Sequence, residues 1–280
     1  MRKLKTLFIS GLLAAGTAVI GTACDDEGAA GTEPEPMAGA CFDSSTTDYS
    51  KPGPYRWTRD RIAGFTVYRP LPTPGGCDRF PMVGFAMGTI MPTGLYDDYY
   101  EIFASWGIIS VIDPANLLNL TGGSLRDAME RVMRHRDIAD SILNLGALGH
   151  SQGGAAVVNI AMDQDLPLDA VVGLMPALFQ GLGRVDAAGL YIGATADLFG
   201  VATDPGLAYA RTDGPAFIAE MRGEGHIGGV SGDAPVAMST AWFRCHLGKD
   251  ANACDLFTQS RKNGTCSFPG RWSRCEGKND

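Results

Sequence analysis

The sequence predicts an α/β fold, a mostly parallel central sheet with helices on both faces. Three observations carry this expectation. Short, near-continuous apolar runs alternate with segments of helical spacing, as strands covered on both faces require. The pentapeptide Gly149-His150-Ser151-Gln152-Gly153 stands between one such run and a helical segment, the strand–turn–helix context of a nucleophile elbow. Asp197 and His226 also follow apolar runs, where loops leave the carboxyl ends of parallel strands.

The elements follow in order. Phe65 to Tyr68 alternates and is rich in strand formers, so it reads as an early strand. Pro70 to Gly76 is a turn cluster. Met82 to Met87 is a buried strand ending at Gly88-Thr89, and Tyr96 to Ser105 a helix. Gly107 to Ile112 is a β-branched strand broken by Asp113-Pro114. Leu125 to Leu143 carries helical spacing, with Leu125, Met129, Val132, Met133 and Ile138 on one side. Ile142 to Leu148 is the apolar run before the pentapeptide, and Ala155 to Met162 the helical segment after it. Asp169 to Met175, Gly189 to Gly193 and Ala216 to Met221 read as further buried strands, the last being the final strand expected. Pro235 to Leu247 is a helix that offers Trp242 and Phe243 to the core.

Composition narrows the function. The chain has 280 residues, 45% hydrophobic and 19% charged, enough for one sizeable core. Its formal charge of −8 and pI near 5.0 argue against a nucleic-acid partner, since phosphate binding wants clustered Lys and Arg. There is no internal repeat, no P-loop and no glycine-rich turn placed to hold a dinucleotide.

Residues 1–24 read as an export signal. Arg2, Lys3 and Lys5 precede an apolar stretch, Leu7 to Ile20, too short and too rich in Gly and Ala for a comfortable membrane span. The segment ends Gly21-Thr22-Ala23-Cys24, which resembles a bacterial lipoprotein signal whose cysteine, here Cys24, becomes lipidated. Gly21 departs from that pattern, which usually has a larger aliphatic residue there, and simple cleavage with secretion is the alternative. Residues 25–40 are acidic, small and Pro-containing, the composition of a flexible tether. The folded domain is expected over 41–280. Any membrane contact would be through the anchor at Cys24, with the domain periplasmic, at the cell surface or secreted, and a monomer is expected.

Six cysteines remain after Cys24, an even number that suits disulfides in an oxidising compartment. Locality pairs Cys41–Cys77, Cys245–Cys254 and Cys266–Cys275 among 15 possible connectivities. The last four would staple a polar tail from about residue 250. A zinc site is disfavoured because no C-x-x-C pair exists.

A serine hydroxyl needs a base to take its proton and an acid to orient that base. Ser151, Asp197 and His226 occur in the chain order this chemistry uses on an α/β-hydrolase fold. Of four histidines, His150 lies inside the turn and is expected to point away from the attack direction. His135 sits in a basic helical run, and His246 in the late helix. His226 lies in a Gly-rich loop able to carry an imidazole to a distant serine. Asp197 is favoured as the acid over Asp204, Asp186 and Asp213, whose ordinary roles are turns and caps. Oxyanion donors are expected from the backbone N–H of Gln152 and, after the Met82–Met87 strand, from that of Thr89.

The stretch Met82 to Asp113, the Gly-His-Ser-Gln-Gly turn, Ile192 to Asp197, and Gly-Glu-Gly-His226 followed by Ser239 to Arg244 resemble the cutinase-type polyester hydrolases. Chlorophyllase-like and dienelactone-hydrolase-like relatives share the pattern, which spans about residues 60–250. The resemblance implies an α/β-hydrolase fold, Ser151 as nucleophile, Asp197 as acid, His226 as base, and Gln152 and Thr89 as oxyanion donors. Thr89 stands where polyesterases usually have an aromatic residue, and a second cleft aromatic would correspond to Phe179. The implied activity is ester hydrolysis through an acyl-enzyme, with no metal and no organic cofactor. A serine peptidase or a lactone or dienelactone hydrolase on the same fold is the enzymatic alternative. A non-catalytic lipoprotein binding module is the alternative from another class.

Overall fold

Nine strands form one sheet in the computed structural model, which describes residues 48–278 apart from 74–76, 115–120, 165, 178–180, 182, 200–203, 259–264 and 268–270. In chain order the strands are β1 (Trp57–Ile62), β2 (Phe65–Pro70), β3 (Phe80–Ala86), β4 (Ile109–Asp113), β5 (Ile142–His150), β6 (Ala170–Leu174), β7 (Ala188–Ala194), β8 (Ala216–Met221) and β9 (Trp272–Lys278). Their spatial order is β1-β2-β4-β3-β5-β6-β7-β8-β9. The block from β4 to β8 is parallel; at its flanks β2 pairs antiparallel with β4, β1 antiparallel with β2, and β9 antiparallel with β8. The described α-helices are α1 (Asp97–Ser105), α2 (Gly123–Met133), α3 (Gln152–Asp163), α4 (Pro205–Arg211), α5 (Asp233–His246) and α6 (Ala251–Thr258). The fold class is therefore the α/β one the sequence predicts.

Alternation along the strands divides the core into two faces. Val83, Phe85, Val172, Leu174, Leu190 and Ile192 pack with α1, α5 and α6 through Phe103, Trp242 and Phe257. Met82 packs with α2 through Leu125 and Met129, and Val171 and Tyr191 pack with α3 and α4 through Val158 and Ala208. Adjacent residues of a strand project to opposite faces, so a continuously apolar strand feeds both helical layers. None of the helices among the described residues is long and apolar enough to cross a membrane.

Three sequence expectations need correction. The helix expected over Leu125 to Leu143 ends at Met133. Turns at His135 and Ile138 and a short 3-10 turn, Ala139–Ser141, then lead into β5. Ile142 and Leu143 fit either period, and the pairing of Phe80 with Ile142 decides for strand. The expected strand Ile142 to Leu148 also runs on to His150. Ala216 to Met221 is not the last strand, because the tail contributes β9. β9 has few apolar residues and is held by its ladder to β8 and by the Cys266–Cys275 disulfide. The edge strand β1 went unpredicted, its alternation obscured by Arg59, Asp60 and Arg61. Its signal is the Ala63-Gly64 turn, whose positive φ values of 51° and 91° suit a tight hairpin.

Both C-terminal pairings occur as expected: Cys245–Cys254 joins α5 to α6, and Cys266–Cys275 joins the end of the tail to itself. Cys77 is disulfide-bonded. Cys24 and Cys41, with the signal and tether, lie outside the described residues.

One buried ion pair ties the helical layer together. Arg244 of α5 donates to Asp250 Oδ2 from Nε at 3.0 Å and Nη2 at 2.8 Å, and from Nη1 to the Trp106 carbonyl at 2.9 Å. The Tyr49 hydroxyl donates to the same carboxylate at 3.2 Å. Asp250→Ala strands a buried guanidinium and is expected to cost about 3–5 kcal/mol in chemical denaturation. The double replacement Arg244→Met/Asp250→Leu should recover most of that loss.

Candidate active site

The carboxyl ends of β3, β5, β7 and β8 lie close together in the sheet, and each emits one of the sequence-predicted residues. At the end of β5 the chain reverses through Ser151, whose φ of 55° and ψ of −119° are unusual for a residue with a side chain. Space at this turn is scarce. A Cβ on Gly149 would stand 2.0 Å from the Gly153 carbonyl oxygen, and one on Gly153 would stand 2.2 Å from that of Ala86. The glycines are steric requirements, and the one at 153 lets the end of β3 rest against the start of α3. The Ser151 N–H donates to the Leu174 carbonyl at 2.9 Å, and the Ser151 carbonyl accepts from Ala155 at 3.1 Å and Ala177 at 2.8 Å.

Beside this turn, the Thr89 hydroxyl donates to Gln152 Oε1, joining the loop after β3 to the first residue of α3. The two residues expected to supply oxyanion donors are therefore in contact through their side chains. As the leading residue of α3, Gln152 carries an amide with no i−4 carbonyl inside the helix.

Asp197 and His226 meet across the loops after β7 and β8. His226 Nδ1 lies 2.8 Å from Asp197 Oδ2, and both side chains are almost wholly buried. Asp197 Oδ1 accepts the Phe199 N–H at 2.8 Å, so the carboxylate is held at both oxygens. The two loops are also joined through Ala196 N–H to the Glu224 carbonyl at 2.9 Å and Gly223 N–H to Thr195 Oγ1 at 2.8 Å. The Tyr99 hydroxyl anchors the far end of the histidine loop on the Val230 carbonyl at 2.8 Å. A carboxylate on Nδ1 favours a proton there and leaves Nε2 as the basic nitrogen.

The other aspartates have partners elsewhere. Asp204 caps α4 by accepting from Leu207 N–H at 2.6 Å, Asp186 accepts from Gln164, and Asp213 pairs with Arg184. Phe179 lies outside the described residues. Among the described residues His226 is hydrogen-bonded to Asp197, and no hydrogen bond joins its ring to Ser151.

His150, inside the turn, makes contacts of its own. It is fully buried, and its ring centroid stands 4.7 Å from that of His226, so it abuts the base. Its Nδ1 lies 2.8 Å from the Tyr96 hydroxyl, which also accepts the Gly88 N–H at 3.1 Å. Burial, then the neighbouring His226, lowers the His150 pKa to about 3. Burial also raises Tyr96 to about 12. Neither position carried a sequence signal beyond the pentapeptide itself.

No protein-family model and no curated protein matches the chain.

Two histidines are kept neutral by the fold. His246 is lowered to about 4, first by burial and then by Lys249. A depressed histidine takes up its proton in the unfolded chain near pH 6.5, before it does so in the fold. Stability is therefore full above about pH 6.5 and falls on acidification towards 4 and 3, by at most about 1.4 kcal/mol per pH unit for each histidine. Urea midpoints between pH 4 and 7 should show this slope, and His150→Gln should reduce it.

Proposed function

We propose that the chain is an exported serine carboxylesterase of the α/β-hydrolase fold, related in type to the cutinase-like polyester hydrolases. The observation that carries this reading is the buried His226–Asp197 pair at 2.8 Å, formed at the same sheet edge as the strained Ser151 turn. The sequence resemblance points the same way, and the two C-terminal disulfides fit an oxidising compartment. The export segment supports attachment through a lipid on Cys24.

In the reaction, Ser151 Oγ attacks the ester carbonyl carbon while His226 Nε2 takes the hydroxyl proton. Asp197 holds the imidazole and stabilises its positive charge. The oxyanion is held by the N–H groups of Gln152 and Thr89. His226 then returns the proton to the alcohol oxygen as the C–O bond breaks, and the alcohol leaves. A water gives its proton to His226 and adds to the acyl carbon. The bond to Ser151 breaks, the serine regains a proton, and the acid departs. Catalytic hydrogen bonds are often long without substrate, and the open Ser151–His226 contact closes in this scheme when the ester is bound.

Exposed side chains suggest the substrate class. Among the described residues the large apolar side chains most open to water are Ile90 at 75%, Leu198 at 94%, Phe199 at 59% and Ile227 at 40%. Ile90 follows Thr89, Leu198 and Phe199 follow Asp197, and Ile227 follows His226. The Phe199 ring lies edge-on to the His226 ring at 5.0 Å. Exposed apolar side chains confined to the loops of one site mark a binding rim, so the favoured substrate is an ester with an apolar chain.

A fluorophosphonate probe should label the wild-type protein and not Ser151→Ala. On p-nitrophenyl esters of increasing chain length, kcat/KM should rise by up to about fourfold for each methylene the rim covers. Leu198→Ser/Phe199→Ala should flatten that rise. Absence of both labelling and ester cleavage in the wild type would instead favour a binding module without turnover.

A further inference from the structure

We propose that Tyr96 is a positioning residue whose hydroxyl sets the His150 tautomer and braces the Gly88-Thr89 loop against the Ser151 turn and the His226 ring. This rests on the esterase reading of the same site.

The argument starts from hydrogen accounting. A tyrosine hydroxyl has one proton to give and two lone pairs to receive. The buried Tyr96 oxygen receives the Gly88 N–H at 3.1 Å, and the His150 Nδ1 atom lies 2.8 Å away. If Tyr96 donates to Nδ1, the hydroxyl proton is satisfied and the histidine proton sits on Nε2. If instead Nδ1 carries the proton, the Tyr96 proton loses its acceptor among the described residues. The Nε2 lone pair would be unmet as well, because that buried atom has no partner at hydrogen-bond geometry. The first arrangement strands one group and the second strands two, so the Nε2–H tautomer prevails. The surroundings agree: the His226 backbone favours a proton on His150, whereas burial and the His226 ring oppose its charge. Asp197 is the carboxylate that favours the charged form, and burial outweighs it.

Packing turns this tautomer into a bracket. A Cβ on Gly88 would lie 2.7 Å from His150 Nδ1, so the loop after β3 rests directly on the imidazole. The same imidazole follows β5, precedes Ser151, and meets the His226 ring at 4.7 Å. One neutral ring therefore touches the loop carrying Thr89, the turn carrying Ser151 and the loop carrying His226. Tyr96 sits at the entry to α1 and holds that ring at Nδ1, itself fully buried and packed on Phe85 at 5.1 Å. Displacing the bracket would move the Thr89 amide relative to the oxyanion while leaving the apolar rim in place. The effect would fall on kcat more than on KM.

Two measurements on the full chain test this. Imidazole nitrogen spectra of 15N-histidine-labelled wild type should show His150 protonated at Nε2, unprotonated at Nδ1, and still neutral at pH 5. Tyr96→Phe keeps the ring and removes the hydroxyl. It should lower kcat for p-nitrophenyl butyrate by roughly 10–100-fold, below the full loss of an oxyanion donor, with KM within about twofold of wild type. The His150 tautomer preference should weaken in the same variant. A wild-type His150 carrying its proton on Nδ1, or a folded Tyr96→Phe with kcat within about twofold of wild type, would overturn the proposal. If Tyr96→Phe does not fold, the wild-type spectra decide. Failure of the esterase reading shows separately, as a wild type that neither reacts with fluorophosphonate nor cleaves any ester; the kinetic role then falls with it, whatever the tautomer.

Discussion

The reversal at Ser151 is the constraint on which the rest of the site depends. A residue with a side chain held at φ 55° costs about 1–3 kcal/mol and persists only where its surroundings leave no alternative. Here they leave none. The Ser151 amide and carbonyl are both committed, to Leu174 on one side and to Ala155 and Ala177 on the other. Glycines at 149 and 153 remove the atoms that would push the turn open. The same closeness sets the oxyanion side, because β3 ends against Gly153 and its loop then needs only a short reach to put Thr89 on Gln152.

Asp197 and His226 are brought together by a different device, sheet order. β7 and β8 are parallel neighbours, so the residues leaving their carboxyl ends start side by side however long the connecting chain. Backbone bonds between Ala196 and Glu224, and from Gly223 to Thr195, hold the two loops in step. The C-terminal tail adds a brace. Arg222 N–H donates to the Arg271 carbonyl at 2.8 Å where the base loop begins, just before β9 pairs with β8. A polar tail thereby supports the segment that carries His226.

Local chemistry was legible in the sequence wherever one residue type answers one need. Gly-x-Ser-x-Gly announced the turn because no other residue fits at 149 and 153. Asp197 and His226 were readable because each follows an apolar strand, and their 2.8 Å contact follows from strand order. The boundary of α2 was not readable, since Ile142 and Leu143 suit either period and only the partner Phe80 decides. β1 and β9 were obscure for a related reason: edge strands need little apolar content, and their ladders supply what their side chains do not. The contacts of His150 were not legible, because its ring is held by Tyr96 and Gly88, which come from another strand's loop.

Two imidazoles packed at 4.7 Å would repel if both were charged, and burial keeps His150 neutral. His150 lies deep, against Tyr96, with its pKa lowered to about 3. His226, also nearly buried, has a carboxylate on Nδ1. The inner ring can therefore act as packing and as a hydrogen-bond acceptor, without competing for the proton that the proposed acyl transfer would move. A second basic histidine at that distance would share the proton and blur the Asp197–His226 pair. A neutral one presses on the base and leaves its charge to Asp197. The chain order Ser, Asp, His is thus only half of what the proposed esterase would need, because a base at residue 226 would require the histidine inside the turn to stay neutral.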